Sequence, residues 1–151
     1  MSRGYAILAA DRPKDLNNFA GLMRAGHCYG AKMLVLAGDR YKHMAPNTTK
    51  AERTIPFLRV DDVFDALPMD CVPVAVDLVE GATNLYKYQH PERAFYIFGA
   101  EDSTLGARVL SKCRDKVYVP TNYCMNLAAT ANVILYDRLA KEQLSGDSIH
   151  A

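Results

Sequence analysis

The sequence lacks the features that announce several large protein classes. Its four cysteines, Cys28, Cys71, Cys113 and Cys124, form no C-x-x-C pair, and His27, His43, His90 and His150 stand at no ligand spacing to them. Zinc and thioredoxin-like redox sites are therefore without support; four reduced thiols and no bound metal are expected. No apolar run approaches the roughly 20 residues of a membrane helix. The first one, Gly4–Ala10, passes straight into Asp11-Arg12-Pro13-Lys14. With no convincing cleavage site, it reads as a strand and not a signal peptide, so a cytoplasmic protein is expected. A G-x-G-x-x-G phosphate cradle is missing, because Gly106 lies too far beyond Gly99. There is no internal repeat, low-complexity segment or Pro/Gly/Ser linker, and the 151 residues read as one domain, 1–151.

Half of the residues are hydrophobic, enough to bury roughly 70% of the surface an unfolded chain exposes. The net charge is only +1, yet residues 1–60 hold ten Lys/Arg against four Asp/Glu, and residues 61–151 hold eight against thirteen. Such polarity suits a polyanion partner, although chance scatter of surface charge gives the same count.

Apolar runs rich in β-branched and aromatic residues alternate with stretches of helical period. Strands are expected over Tyr5–Ala10, Lys32–Ala37, Ile55–Val60, Val72–Val79, Ala94–Gly99 and Val117–Val119. Helices are expected over Asn17–Tyr29, stopped by Gly30, over Asp61–Leu67 with Asp61 as cap, and over Leu105–Cys113. A long helix over Asn126–Leu144, closed by Ser145-Gly146, ends the series. This alternation predicts an α/β domain with a mostly parallel sheet flanked by helices. Ligands of such sheets bind beyond the carboxyl ends of the strands, which directs attention to the loops after Ala10, Ala37, Val79, Gly99 and Val119.

Three stretches meet that condition. Asn18 and Arg24 lie six residues apart on the first helix, with small Ala20 and Gly21 between them that would let another backbone approach. Taken alone, Arg24 reads as a solvated surface residue. Phe95–Phe98 runs into Gly99-Ala100-Glu101, a plain turn or a place where backbone groups face a ligand. Val119-Pro120 leads through Thr121-Asn122-Tyr123 to Cys124-Met125-Asn126-Leu127 and an Ala-rich helix, where Asn126 either caps the helix or faces a ligand.

Together, in this order and over nearly the whole chain, the three resemble the motifs of the SPOUT superfamily, in its SpoU/TrmH branch of RNA 2′-O-ribose methyltransferases. Asn18…Arg24 resembles the first motif, Phe98-Gly99-Ala100-Glu101 the second, and Val119-Pro120…Cys124-Met125-Asn126-Leu127, with Leu135-Tyr136-Asp137, the third. The size is similar to that of stand-alone TrmL-like members. Ala20, Ala100, Thr121 and Cys124 stand where the branch has Gly, Pro, Met and Ser, and a thiol is a weaker hydrogen-bonding group than a hydroxyl.

The resemblance implies a C-terminal deep trefoil knot. It also implies S-adenosyl-L-methionine as cofactor, leaving as S-adenosyl-L-homocysteine, and a homodimer with its site at the subunit interface. The implied cofactor residues are Phe98, Gly99, Ala100, Glu101, Val119, Pro120, Cys124, Met125 and Asn126. Arg24, Asn18, Glu101 and Asn126 are the implied catalytic set. A guanidinium stays protonated at neutral pH, so Arg24 is better suited to clamping a phosphate and stabilising developing alkoxide than to acting as a base. The expected substrate is RNA, in particular tRNA, with ribosomal RNA open, and Arg12, Lys14, Arg24, Arg40, Lys42 and Arg53 are candidate phosphate contacts. The competing expectation is an RNA-binding module that kept the fold and lost the transfer.

Overall fold

The structure is a computed structural model; it describes residues 4–38, 55–100 and 103–150, and of 146–150 the backbone alone. Seven parallel strands form one sheet: β1 (Tyr5–Asp11), β2 (Met33–Ala37), β3 (Phe57–Val60), β4 (Val72–Val76), β5 (Thr83–Asn84), β6 (Arg93–Phe98) and β7 (Asp115–Tyr118). Their spatial order is β3-β2-β1-β6-β4-β7-β5. Among the described residues, three α-helices accompany them: α1 (Leu16–Tyr29), α2 (Ala107–Lys112) and α3 (Leu127–His150).

The central strands are apolar on both faces because both faces are covered. Ala6–Ala10 of β1 and Ala94–Phe98 of β6 are buried without alternation, as expected of a parallel sheet between two helical layers. On one face Phe19, Leu22 and Met23 of α1 and Leu127, Ala131, Ile134 and Leu135 of α3 share a core with Leu8, Val74 and Tyr96. On the other, Val63 and Ala66 of a short 3-10 turn and Leu105 and Val109 pack on Ile7, Ala75 and Phe95. No helix among the described residues is long and apolar enough to cross a membrane.

The expected α/β class and parallel sheet are found, and several boundaries move for local reasons. α1 starts at Leu16, one residue earlier than expected, because Asp15 caps it by accepting from the Asn17 backbone N–H at 2.8 Å. Gly30 ends this helix as expected, in the left-handed conformation at φ 71°. The short turn over Val63–Ala66 is capped by Asp62, whose carboxylate accepts from the Phe64 N–H, so the expected Asp61 cap is corrected. The strand from Val72 stops at Val76, because Asp77 turns its carboxylate to the Leu105 N–H at 2.7 Å. The helix expected over Leu105–Cys113 is confined to Ala107–Lys112. β7 starts earlier than expected, at Asp115, and α3 runs through Ser145-Gly146 instead of closing there. One glycine inside a helix of this length costs only about 1 kcal/mol. β5 was not foreseen; two residues are too few for a periodic signal.

The middle of α3 is bolted to the segment before β6. His90 lies between Tyr96 and Asp137, with 2.7 Å contacts from Nδ1 to the tyrosine oxygen and from Nε2 to the carboxylate. Tyr96 also accepts from Arg138 at 3.2 Å. One assignment satisfies every group: the Tyr96 hydroxyl donates to Nδ1, and Nε2–H donates to Asp137. Burial lowers the pKa of His90 against the opposing pull of Asp137, which keeps the imidazole neutral in this arrangement. Arg138 donates further to the carbonyls of Pro91 and Glu92, and Lys141 donates to those of Leu85 and Tyr88 and to Asp137.

Candidate functional site at the carboxyl edge of the sheet

The strand register defines where a ligand could sit. Ala10 of β1 pairs with Phe98 of β6, Phe98 with Val76 of β4, and Val76 with Val117 of β7. These four residues form a row across the carboxyl edge. The chain runs outward from β1 to β3 and then returns to build the other half, so the order reverses beside β1 and β6. That is the crevice in which open α/β sheets bind ligands.

Gly99 and Val119 lie just past this row on strands separated by β4 alone. Two strand spacings put them roughly 10 Å apart. Between them β4 ends and the chain departs through Asp77, whose N–H donates to the Val117 carbonyl at 3.0 Å. A Cβ at Gly99 would meet the Leu105 side chain of the core at 3.1 Å, a tight contact. Two flanking backbones and a loop pinned by Asp77 fit a flat heterocycle held by main-chain groups. Among the described residues no group of three or more His, Cys, Asp or Glu side chains could hold a metal ion.

Helix packing brings the first and third sequence stretches to the same edge. A Cβ at Gly21 would come within 2.6 Å of the Ala128 Cβ, so the second turn of α1 is pressed against the first turn of α3. Close approach was expected from Ala20 and Gly21, and Gly21 carries it. Asn18 is half-buried in the first turn of α1. Arg24, one turn beyond Gly21, is exposed. Arg12 and Lys14 are exposed on the connection from β1 to α1, where Arg12 adopts φ 54° and its side chain covers Gly38.

Of the expected cofactor residues, Phe98 is buried as the last residue of β6, and Gly99, Ala100, Val119 and Met125 are half-buried. Pro120, Cys124 and Asn126 are exposed. Asn126 caps α3, its side-chain oxygen accepting from the Ala129 N–H at 2.8 Å; that leaves its amide NH₂ for another partner. Glu101, Arg40, Lys42 and Arg53 lie outside the described residues. Asp77 was missed by the sequence reading, which absorbed it into a strand; an acid interrupting the apolar run Val72–Val79 was the available signal.

The model of the SpoU rRNA Methylase family matches residues 5–136, and the chain belongs to that family. No curated protein is similar enough to count as a match. Among solved structures, the SpoU methyltransferase AviRb from Streptomyces viridochromogenes aligns at TM-score 0.76 with 22% identity, over 96% of this chain and 62% of its own. The form of AviRb with the cofactor AdoMet aligns at the same TM-score, 0.76, and the same identity, 22%, over 94% of this chain and 59% of its own. The A. aeolicus TrmH/SpoU tRNA modifying enzyme aligns at TM-score 0.83 with 18% identity, over 95% of this chain and 78% of its own. A structure described as giving insights into the 2-OH methylation of C/U34 on tRNA aligns at TM-score 0.77 with 21% identity, covering 95% of this chain and 98% of that one. These likenesses establish the fold, and the chain spans about three fifths of AviRb.

Proposed function

We propose that this protein transfers the methyl group of S-adenosyl-L-methionine to a ribose 2′-hydroxyl of RNA, with tRNA as the substrate class. The observation that carries the reading is the meeting of three separate sequence stretches at one edge. Gly99 and Val119 flank the end of β4, while Gly21 against Ala128 sets the Arg24 helix beside the start of α3. When bound, the cofactor supplies an electrophilic sulfonium methyl, and S-adenosyl-L-homocysteine leaves.

Main-chain groups at Phe98, Gly99, Ala100, Val119 and Met125 hold the adenosyl part, with Pro120, Cys124 and Asn126 completing the wall; Glu101 belongs to the same proposed set. Arg24 binds the phosphate next to the target ribose and stabilises charge on the attacking oxygen. Asn18 and the Asn126 amide orient polar groups around it. Arg12 and Lys14 extend the cationic path for the RNA backbone, and Arg40, Lys42 and Arg53 belong to the same proposed set.

The reading includes a trefoil knot in the last third of the chain. The insertion of β7 between β4 and β5, two strands that precede it and are joined by residues 77–82, supports it. It also includes a homodimer. Val133, Tyr136 and Leu139 expose an apolar stripe along α3 at three-residue steps, next to Arg24's helix, and covering such a stripe is a reason to pair. The family model's name points to ribosomal RNA as the competing substrate.

The test is mass spectrometry of nucleosides after incubating tRNA, or ribosomal RNA, with the protein and methyl-deuterated cofactor. A deuterated 2′-O-methyl nucleoside from tRNA is the expected product. Label on ribosomal RNA alone replaces the substrate, label on a base replaces the acceptor, and no label supports a binding module.

A further inference from the structure

The loop from β7 to α3 has an unusual composition for a surface meant to meet RNA. Residues 119–136 contain no Asp, Glu, Lys or Arg. None of residues 119–126 is buried. The Thr121 hydroxyl donates to the Tyr123 carbonyl at 2.7 Å, a bond inside the loop, and the loop ends on the Asn126 cap of α3. The aromatic side chain on this loop is Tyr123, 87% exposed.

Three tyrosines or phenylalanines are strongly exposed among the described residues: Tyr86, Tyr123 and Tyr136. Tyr86 lines a groove of about 640 Å³ with residues 87–92, which lead into β6, and with Arg138, Lys141 and Leu144 of α3. Tyr136 belongs to the apolar stripe of α3. Tyr123 alone stands at the carboxyl edge, between the end of β7 and the helix start that Gly21 brings beside α1. Phosphate charge at this edge is met by Arg12, Lys14 and Arg24 on the neighbouring element. A neutral loop with one aromatic face is left for a base.

Resting on the RNA methyltransferase reading, we propose that Tyr123 is a stacking platform that holds the base of the target nucleotide, or of its immediate neighbour, out of its own stack. In-line attack by a ribose hydroxyl needs its nucleotide held in one pose, and stacking the base on a protein ring fixes that nucleotide while offsetting the stacking it gives up. Stacking on an aromatic ring is tolerant of base identity, so Tyr123 positions the substrate while sequence choice comes from elsewhere. Tyr123 is a positioning residue: it adds no group to the transfer.

The experiment uses the full chain with S-adenosyl-L-homocysteine present and a fluorescein-labelled, unstructured mixed-sequence dodecaribonucleotide followed by anisotropy. Tyr123→Phe and Tyr123→Trp are expected to bind within about twofold of the parent. Tyr123→Leu, similarly apolar but without a ring face, is expected to weaken RNA binding roughly tenfold. Its S-adenosyl-L-homocysteine affinity by calorimetry should not change. In steady-state methylation the same variant should raise KM for RNA far more than it lowers kcat. Unchanged RNA binding by Tyr123→Leu, equal loss of RNA and S-adenosyl-L-homocysteine binding, or a parent chain that binds no oligoribonucleotide each overturn the proposal. Absence of S-adenosyl-L-homocysteine binding by the parent strikes instead at the methyltransferase reading.

Discussion

The middle and the amino end of α3 are built on opposite principles. Around its middle, Asp137, Arg138 and Lys141 have internal partners: Lys141 donates to two carbonyls and Asp137, and His90 and Tyr96 satisfy each other. At its amino end Asn126, Cys124 and Tyr123 face outward, and the Arg24 guanidinium stands on the helix alongside. Saturated polar clusters rigidify a fold, whereas polar groups left open at the mouth of a parallel sheet are available to a ligand. The contrast teaches that the middle of this helix is anchorage and its amino end is a working surface held still by it.

The sharpest way to break the contrast is at the open end. Arg24→Ala should lower single-turnover methylation at least roughly a hundredfold, with S-adenosyl-L-homocysteine affinity by calorimetry unchanged, because the residue is exposed and outside the β4 slot. Retained activity would remove Arg24 from its assigned role. The joint between α1 and α3 comes next. Gly21→Ala puts a methyl 2.6 Å from the Ala128 Cβ, and overpacking of this kind costs about 1–3 kcal/mol. A lower denaturation midpoint and reduced activity together are expected; a neutral result would mean that the helices separate freely.

Anchorage is tested by Tyr96→Phe. It strips the His90 Nδ1 and an Arg138 donor of a partner in a site where Tyr96 is fully buried. Leaving such groups unpaired costs about 1–3 kcal/mol, read as a fall of several degrees in Tm. Cofactor affinity should be less affected than by changes at the carboxyl edge.

The smallest effect concerns pH. Burial holds His90 below its ordinary value near 6.5, with Asp137 opposing. The unfolded chain therefore takes up this proton first as pH falls, and the folded state loses stability from about pH 6.5 downward until the folded group also protonates. The thermal midpoint of the parent should drop more between pH 7 and 5 than that of His90→Gln. Parallel curves would show that His90 does not titrate differently on folding.

Much of this architecture was legible in the residues. The apolar runs Ala6–Ala10 and Ala94–Phe98 read as strands and are the buried centre of the sheet, and Gly30 marked the end of α1. The site was legible as an ordered set of stretches, with Gly21 readable as a point of close approach. What the residues hid was non-local. β5 exists because β7 offers it an edge, Asp77 is defined by a backbone 28 residues later, and the His90 cluster joins positions 47 apart. The choice of Asp62 over Asp61 as a cap depends on one dihedral pair that composition does not encode.

The most direct measurement is a titration of the isotopically labelled chain with S-adenosyl-L-homocysteine, followed by amide resonances. The account predicts saturable shifts concentrated at Phe98–Ala100 and from Tyr118 to Asn126, with residues 86–92 in the anchoring groove still. Shifts centred on that groove, or none at any concentration, would contradict it.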